Sequence, residues 1–488
     1  MITFASTTLA LGQQVTQVPH DPTGGVQSGP SEDLYSQLLQ QLRATEARLA
    51  TAEERLAENE RRWQRVESPA ESDVESIVQP AFQFSGYAAD SAAGSGQSSD
   101  IAYSDGPCLP SCSNADLTRL SWNKNGYRIT PFGSVAGEAI LTDSSTTARA
   151  FIRYLNPNTG LDDSQSTITG QGSAFGLNIE APKIGDFEAR GLFYFKFYGG
   201  QPAANVPGLF YLLGFGELRN ENWRFVFGQN LDLIGPLQPH TLNFTSGLGG
   251  GNIGLATTRG QLRAERFFHP SDNVQWTFQT ALTQIFLPEY IADPEVNGTD
   301  NGWPNVEGRV ALGFGEDVVH PLIGPLKPIE FGVSGLIGET RVTKNLVGQR
   351  VSTTWAVVAD AKYSTERWGI QGEYFAGDAV GSYGGGIDQS ANLANGFAIY
   401  STGGWGEVWH KLGPCVTAHA GYGIDDPRDR DLSAGQRSRN QFYFGNLIWD
   451  VTERFQLGFE VSHWKTDYAA PLVDNSSMVY HFKTELFY

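Results

Sequence analysis

The sequence has few of the residues that mark metal-binding proteins, nucleic-acid-binding proteins or helical membrane proteins. It contains 3 Cys, and Cys108 and Cys112 have no further Cys or His nearby at metal-ligand spacing. No stretch approaches the roughly 18 to 20 apolar residues that a membrane helix needs. The net charge of −19 argues against a nucleic-acid-binding surface. We therefore predict no metal, no cofactor and no nucleic-acid partner, and leave open whether Cys108 and Cys112 form a local disulfide or stay as thiols.

Strand-forming and turn residues are abundant instead. The chain has 57 Gly, 29 Phe, 18 Tyr and 11 Trp, a composition that favours an all-β protein. The mean hydropathy of −0.29 would normally indicate a soluble protein. A membrane β-barrel is an exception, because only its lipid-facing residues are apolar and they alternate with polar residues of the lumen.

The first 125 residues divide into three segments. Residues 1–30 resemble the remnant of a signal peptide followed by a disordered start, although the first Lys or Arg is Arg43; a disordered cytoplasmic N-terminus is the alternative. Residues 31–67 contain no Gly or Pro and carry a heptad pattern that predicts a periplasmic coiled coil. Residues 68–125 are rich in Ser, Gly, Ala and Asp and predict a flexible linker.

The heptad pattern implies a partner helix, because one helix cannot bury such a seam alone. Asn59 lies within the seam and would set its register. Self-association, predicted here as a homotrimer, is the simplest interpretation, whereas an amphipathic helix packed on its own domain is the alternative. The predicted contact residues are Leu42, Leu49, Leu56, Asn59 and Trp63.

Residues 126–488 alternate apolar and polar residues with period two, as in Phe187–Tyr198, which is typical of strands between lipid and water. About sixteen such segments predict an antiparallel transmembrane β-barrel, with a large soluble sandwich or propeller as the alternative. Tight polar turns alternate with long Gly- and Asp-rich connections, as in outer-membrane barrels. The last strand ends with Phe487 and Tyr488, an aromatic end similar to the insertion signal of outer-membrane proteins.

The sequence resembles the DcaP-like trimeric porins in its overall plan, a helical seam followed by a linker and a predicted barrel, and in two short motifs. The motifs are Phe227–Asp232, which leads into a long connection, and Thr258–Arg263, which leaves it. The phosphate-selective porins have a similar plan and are a close alternative. Either resemblance implies that Leu231–Thr258, with Asp232 and His240, folds into the pore as a constriction loop. On composition alone, its Gly run at 247–251 fits a mobile outside loop equally well.

The alternation predicts a lumen wall that carries many cations together with acidic residues such as Glu138, Glu188, Glu265, Glu307 and Asp360. A wall rich in cations favours passage of small anions such as dicarboxylates or phosphate. The alternative is that each cation pairs with an acid on a neighbouring strand, which would leave little selectivity. The predicted pore-lining cations are Arg128, Arg190, Lys196, Arg224, Arg259, Arg263, Arg309 and Lys362.

Passive diffusion through an outer-membrane porin is therefore the predicted function, with self, membrane lipid and small anionic solutes as partners. An enzyme is not predicted, because the Gly-x-Ser-x-Gly motif of hydrolases is absent. His410, His419, His463 and His481 are scattered over separate predicted strands, where single histidines are more often structural than catalytic. A lipase-like barrel and a barrel that tethers the envelope are the alternatives from other functional classes.

Overall fold

The computed structural model describes residues 121–147, 152–161, 163–198, 207–243, 258–285, 296–297, 302–316, 318–320, 324–342 and 350–488. All of them lie in one compact unit, Val78–Tyr488. The predicted signal remnant, the coiled coil with its contact residues and most of the linker lie outside the described residues. In the described part of the chain, no helix is long and apolar enough to cross a membrane.

Almost all of the described regular structure is β. Sixteen long strands form one closed sheet, and five short strands accompany them. In chain order the strands are β1 Trp122–Lys124, β2 Tyr127–Thr142, β3 Gln165–Thr169, β4 Ala174–Ile184, β5 Phe187–Lys196, β6 Phe210–Arg219, β7 Trp223–Leu231, β8 Thr258–Ser271, β9 Val274–Ile285, β10 Val296–Asn297, β11 Asn305–Phe314, β12 Val318–His320, β13 Gly324–Leu326, β14 Ile329–Val342, β15 Arg350–Ser364, β16 Trp368–Asp378, β17 Tyr400–Lys411, β18 Val416–Pro427, β19 Arg437–Thr452, β20 Phe455–Tyr468 and β21 Asn475–Phe487.

The barrel closes where the last strand meets the first long one. β2 pairs antiparallel with β4 on one side and with β21 on the other, where Ser134 lies opposite Phe487. Every other long strand pairs antiparallel with the long strands before and after it. The predicted barrel of about sixteen strands is confirmed. The short β1 pairs with β2, so strand pairing begins slightly before the predicted linker boundary at residue 125.

Successive side chains of a strand face opposite sides of the barrel wall, and this alternation follows the sequence. On β11, Glu307 and Arg309 are buried on the inner side, whereas Val306 and Val310 are 36% and 42% exposed on the outer side. β14 repeats the pattern, with buried Ser334 beside the half-exposed Val333. An apolar outer row over a closed barrel is what contact with lipid requires, since a barrel leaves no strand edge unpaired.

The two ends of the barrel differ in their connections. Both Tyr488 and the start of β2 lie at the end that carries the tight turns, such as residues 185–186 and 272–273. Trp223 and Trp368 begin β7 and β16 at this same end, an arrangement typical of the interfacial aromatic row of outer-membrane barrels. One connection at this end is longer than predicted, because residues 315–328 contain the hairpin of β12 and β13. Cys415, in another of these turns, is disulfide-bonded, and its partner lies outside the described residues.

Candidate functional site: a loop folded inside the barrel

The connection after β7 turns into the barrel. We call its described part, residues 232–243, the inner loop. Leu233 and Ile234 are fully buried, and Leu237 and Leu242 are more than nine-tenths buried. Ile234 packs in a cluster with inner residues of β14, β15 and β16, among them Leu336 and Phe375. The sequence predicted a constriction loop at Leu231–Thr258, and its described part does lie against the inner wall; residues 244–257 lie outside the described residues.

Four glutamates on the barrel wall hold the backbone of the inner loop. The amide of Leu233 donates to Glu307 on β11 at 2.9 Å, and the amide of Leu237 donates to Glu373 on β16 at 2.6 Å. Further along, the amide of His240 donates to Glu407 on β17 at 2.9 Å, and the amide of Leu242 donates to Glu460 on β20 at 2.8 Å. Hydrogen bonds with a charged partner are shorter and about twice as strong as neutral ones. The inner loop is thus fastened at four points from β11 to β20.

These hydrogen bonds from the loop amides also stabilise the buried carboxylates. A charge removed from water is costly unless hydrogen-bond donors surround it. Glu373 accepts the indole N–H of Trp405 at 3.3 Å, and Glu460 accepts the side-chain amide of Asn446 at 3.1 Å, each in addition to its loop amide. No Lys or Arg forms an ion pair with either glutamate among the described residues. The inner loop therefore supplies part of the polar environment that these two carboxylates need.

An arginine secures the base of the inner loop. Arg259, at the start of β8, is fully buried, and its Nε lies 2.9 Å from a carboxylate oxygen of Asp232. The same guanidinium donates to the carbonyl of Ser382 at 2.7 Å and lies 3.5 Å from the ring centre of Tyr383. A planar guanidinium suits this combination of ion pair and ring stacking, which a lysine cannot reproduce.

Tyr383 belongs to a second connection that enters the barrel, residues 379–399. Its hydroxyl accepts a hydrogen bond from Asn305 at 2.7 Å and donates to Glu307 at 3.2 Å. Burial raises the pKa of the Tyr383 hydroxyl well above its usual range, so the hydroxyl keeps its proton and can donate. Through Arg259 and Glu307, this second loop and the inner loop are held to the same part of the wall.

A third connection, after β2, also packs inside the long-loop end. Ile152 and Leu155 are fully buried and cluster with Phe442 and Trp464 on the inner wall. Arg153 forms a buried ion pair with Asp388 of the second loop. Three connections therefore meet inside the barrel and narrow the passage at the end opposite Tyr488.

The inner loop approaches the wall closely at Gly458 of β20. A Cβ atom on Gly458 of β20 would lie 2.6 Å from Leu242. Such a distance is well inside van der Waals contact, so a larger residue at this position would force the side chain of Leu242 to move. Gly458 lies on the inner row beside Glu460, the last of the four tethers.

The predicted pore-lining cations all lie near acidic groups. Six form ion pairs with neighbouring carboxylates; these pairs are Arg128–Glu180, Arg190–Glu188, Arg224–Glu217, Arg259–Asp232, Arg263–Glu265 and Arg309–Asp360. Lys196 interacts with Glu138 and Glu485, and Lys362 lies opposite Glu330 on β14. The pairing across neighbouring strands that the sequence left as the alternative holds for Arg128 and Arg224, whereas Arg190 and Arg263 pair within their own strands and Arg259 pairs with the inner loop.

Sequence reasoning placed Asp232 and His240 in the constriction loop but missed the residues that hold them. Glu373 and Glu407 were not singled out, because their partners on the inner loop are more than a hundred residues away along the chain. Tyr383 was not singled out either, because its partner Glu307 is 76 residues away on β11. The signal present in the sequence was a single Glu in the inward-facing row of each of β16, β17 and β20.

No protein-family model matches the sequence, and no curated protein matches it. Among solved structures, the outer membrane channel DcaP of Acinetobacter baumannii matches with a TM-score of 0.58 at 15% identity, over 75% of this chain and 99% of that chain. An anion-selective porin from Comamonas acidovorans matches with a TM-score of 0.48 at 12% identity, over 74% of this chain and 100% of that chain. At these identities the likeness concerns the fold, and at that level the predicted resemblance to DcaP is confirmed. The chain therefore has the fold of a porin-type outer-membrane channel.

Proposed function

We propose that this protein is an outer-membrane porin through which small hydrophilic solutes diffuse passively. The observation that carries the proposal is the inner loop, which four wall glutamates hold inside a closed barrel with an apolar outer row. A barrel of sixteen strands is in the size range that leaves an aqueous channel. A loop fastened across such a lumen limits the size of the solutes that pass.

Planar lipid bilayers provide the direct test. The purified full-length protein is expected to insert and to produce stepwise increases in conductance. The same preparation, boiled before addition, is the control for contaminating channels. A preparation that shows the heat-modifiable gel mobility of a folded barrel but produces no conductance steps would contradict the proposal.

A preference for small anions, such as dicarboxylates or phosphate, is the finer part of this proposal. Its support is the distribution of charge: Arg190, Arg219, Arg224, Arg259 and Arg263 all lie on β5, β6 and β8 or at the start of β7. On β11, β16, β17 and β20, loop amides occupy the four glutamates. Because each of the predicted pore-lining arginines also has an acidic neighbour, we expect the preference to be weak.

Reversal potentials across a salt gradient test the anion preference. A shift towards the chloride equilibrium potential is expected. A clear shift towards the potassium equilibrium potential would remove the anion preference and leave the porin proposal intact. Addition of phosphate or a dicarboxylate during single-channel recording would show whether either solute enters the same pore.

In this proposal the chain assembles as a homotrimer through the predicted periplasmic coiled coil at 31–67. The support is the heptad pattern of the sequence. Chemical cross-linking followed by gel electrophoresis without heating should give a heat-modifiable band at about three chain masses. Deletion of residues 31–67 distinguishes the envelope-tethering alternative: a tether would lose anchoring to the envelope and keep its conductance.

The proposal assigns no catalytic reaction to the barrel. The lipase-like alternative predicts hydrolysis of phospholipids or simple esters by the purified protein in detergent. Sustained turnover above that of a heat-denatured sample would favour the enzyme over the porin.

A further inference from the structure

The inner loop brings a histidine against a second histidine and a glutamate of the wall. His240 of the loop, Glu407 of β17 and His419 of β18 each offer one ligand atom, and these atoms lie within 4.8 Å of one another. The two imidazole rings have their centres 4.6 Å apart. We propose that this cluster binds a divalent transition-metal ion, with Zn²⁺ as the best match, and that the ion clamps the inner loop to the barrel wall.

The strand register places two of the three ligands side by side. His419 lies directly opposite Trp409, two residues after Glu407 on the same strand, so Glu407 and His419 are diagonal neighbours on one face. Both are more than nine-tenths buried, Glu407 at 2% and His419 at 4% exposure. The wall half of the cluster therefore rests on two paired strands, and the loop supplies only the third ligand.

Contacts around the cluster orient Glu407 and His240. One oxygen of Glu407 accepts the backbone amide of His240 at 2.9 Å, and the other contacts the ring Nδ1 of His240. The side-chain amide of Gln371 donates to Glu407 at 2.7 Å. Hydrogen bonds of this kind fix the orientation of metal ligands and raise their affinity.

Two imidazoles and one carboxylate form a ligand set that zinc uses in proteins, with water in the fourth position. Ligand atoms around one tetrahedral zinc ion lie roughly 3.4 Å apart, so side-chain rotations that close the widest separation by at most about 1.4 Å complete the site. Ni²⁺ and Cu²⁺ accept the same donors, whereas Mg²⁺ and Ca²⁺ prefer oxygen ligands. Binding an ion would replace the contact between His240 and Glu407 with bonds from both to the metal.

A metal ion bound at this cluster would limit movement of the inner loop, which narrows the channel. His240 lies between Leu237 and Leu242, whose amides donate to Glu373 and Glu460. A metal ion at the cluster would therefore add a bond to the wall between these two points of the inner loop. The proposal concerns an ion that is bound, and it does not depend on which solute the barrel conducts.

Isothermal titration of Zn²⁺ into the full-length, tag-free protein in detergent, after removal of metal with a chelator, tests the proposal. The wild type should bind one ion per chain at this cluster. H419Q and H240Q should each lower the affinity by about 100-fold, because each removes one of three ligands. H481Q is the matched control: His481 is also buried near a carboxylate, Glu138, in the lumen wall, and its replacement should leave Zn²⁺ binding unchanged.

Heat-modifiable gel mobility shows whether each variant has folded. If H419Q fails to fold, H240Q carries the test, since its side chain lies on the loop and not in the strand pairing. Single-channel recording supplies a second measurement: Zn²⁺ should reduce conductance fluctuations of the wild type and of H481Q, but not of H240Q. Absence of Zn²⁺ binding by the wild type, or wild-type affinity in both H240Q and H419Q, would overturn the proposal.

Discussion

The four glutamate tethers predict that the inner loop loosens when their charge is removed. Glu373 and Glu460 are the best choices for substitution, because no Lys or Arg forms an ion pair with either of them among the described residues. In the double variant E373Q/E460Q the side chains keep their shape and still offer one acceptor oxygen to the amides of Leu237 and Leu242, while at position 373 the oxygen that accepts the indole N–H of Trp405 becomes an NH2 group. The change therefore removes charge and leaves no new cavity.

The expected size of the effect follows from the hydrogen bonds. A bond with a charged partner contributes roughly 1.5–3 kcal/mol and a neutral bond about 1 kcal/mol, so each substitution weakens its tether by about 1 kcal/mol. Two substitutions amount to about 2 kcal/mol. Since 1.4 kcal/mol corresponds to a factor of ten, the population of displaced loop should rise by about 30-fold.

Single-channel recording in planar bilayers measures this population as transitions between conductance levels. We expect E373Q/E460Q to spend about 30-fold more time in levels that differ from the main wild-type level. E188Q is the control, because Glu188 lies on the inner row of β5 and pairs with Arg190, far from the loop tethers. Wild-type recordings from a correctly folded double variant would refute the idea that these carboxylates hold the loop.

Three further predictions concern the wall and the second loop, with thermal unfolding monitored by gel mobility as the common measurement. Arg309→Ala leaves two buried carboxylates without their cation and should lower stability by about 3–5 kcal/mol; a loss below about 1 kcal/mol would argue against the buried ion pairs. Val333→Arg places a charge on the lipid face and should cost about 2–4 kcal/mol, whereas the leucine variant should be nearly neutral; equal stability of both variants would argue against lipid contact. Tyr383→Phe loses the hydrogen bond from Asn305 and the one to Glu307 but keeps the ring beside Arg259, so a loss of about 2 kcal/mol with little change in conductance is expected; a loss as large as the upper value for Arg309→Ala would contradict the view that only these two hydrogen bonds are lost.

The barrel itself could be predicted from the sequence, because each strand shows its two faces in the order of its own residues. Successive strand residues face opposite sides, so a row such as Phe193 outside and Leu192 inside can be assigned from the order of residues alone. The strand number, the tight turns and the end at which the chain terminates follow from counting such rows. The hairpin of β12 and β13 escaped prediction because its short strands carry too few residues to show a period.

The contacts inside the barrel, between the inner loop and the wall and among the inward-facing side chains, could not be predicted in the same way. Alternation assigns each residue a side but says nothing of what lies across the lumen, so Phe132, Phe215 and Val226 form an apolar cluster on the inner wall where polar residues were expected. His240 meets Glu407 across 167 positions of sequence, and the meeting depends on the register of every strand between them and on the path of the loop. Contacts of this kind arise only when the whole barrel has closed, because no local rule relates a loop residue to a wall residue seven barrel strands away.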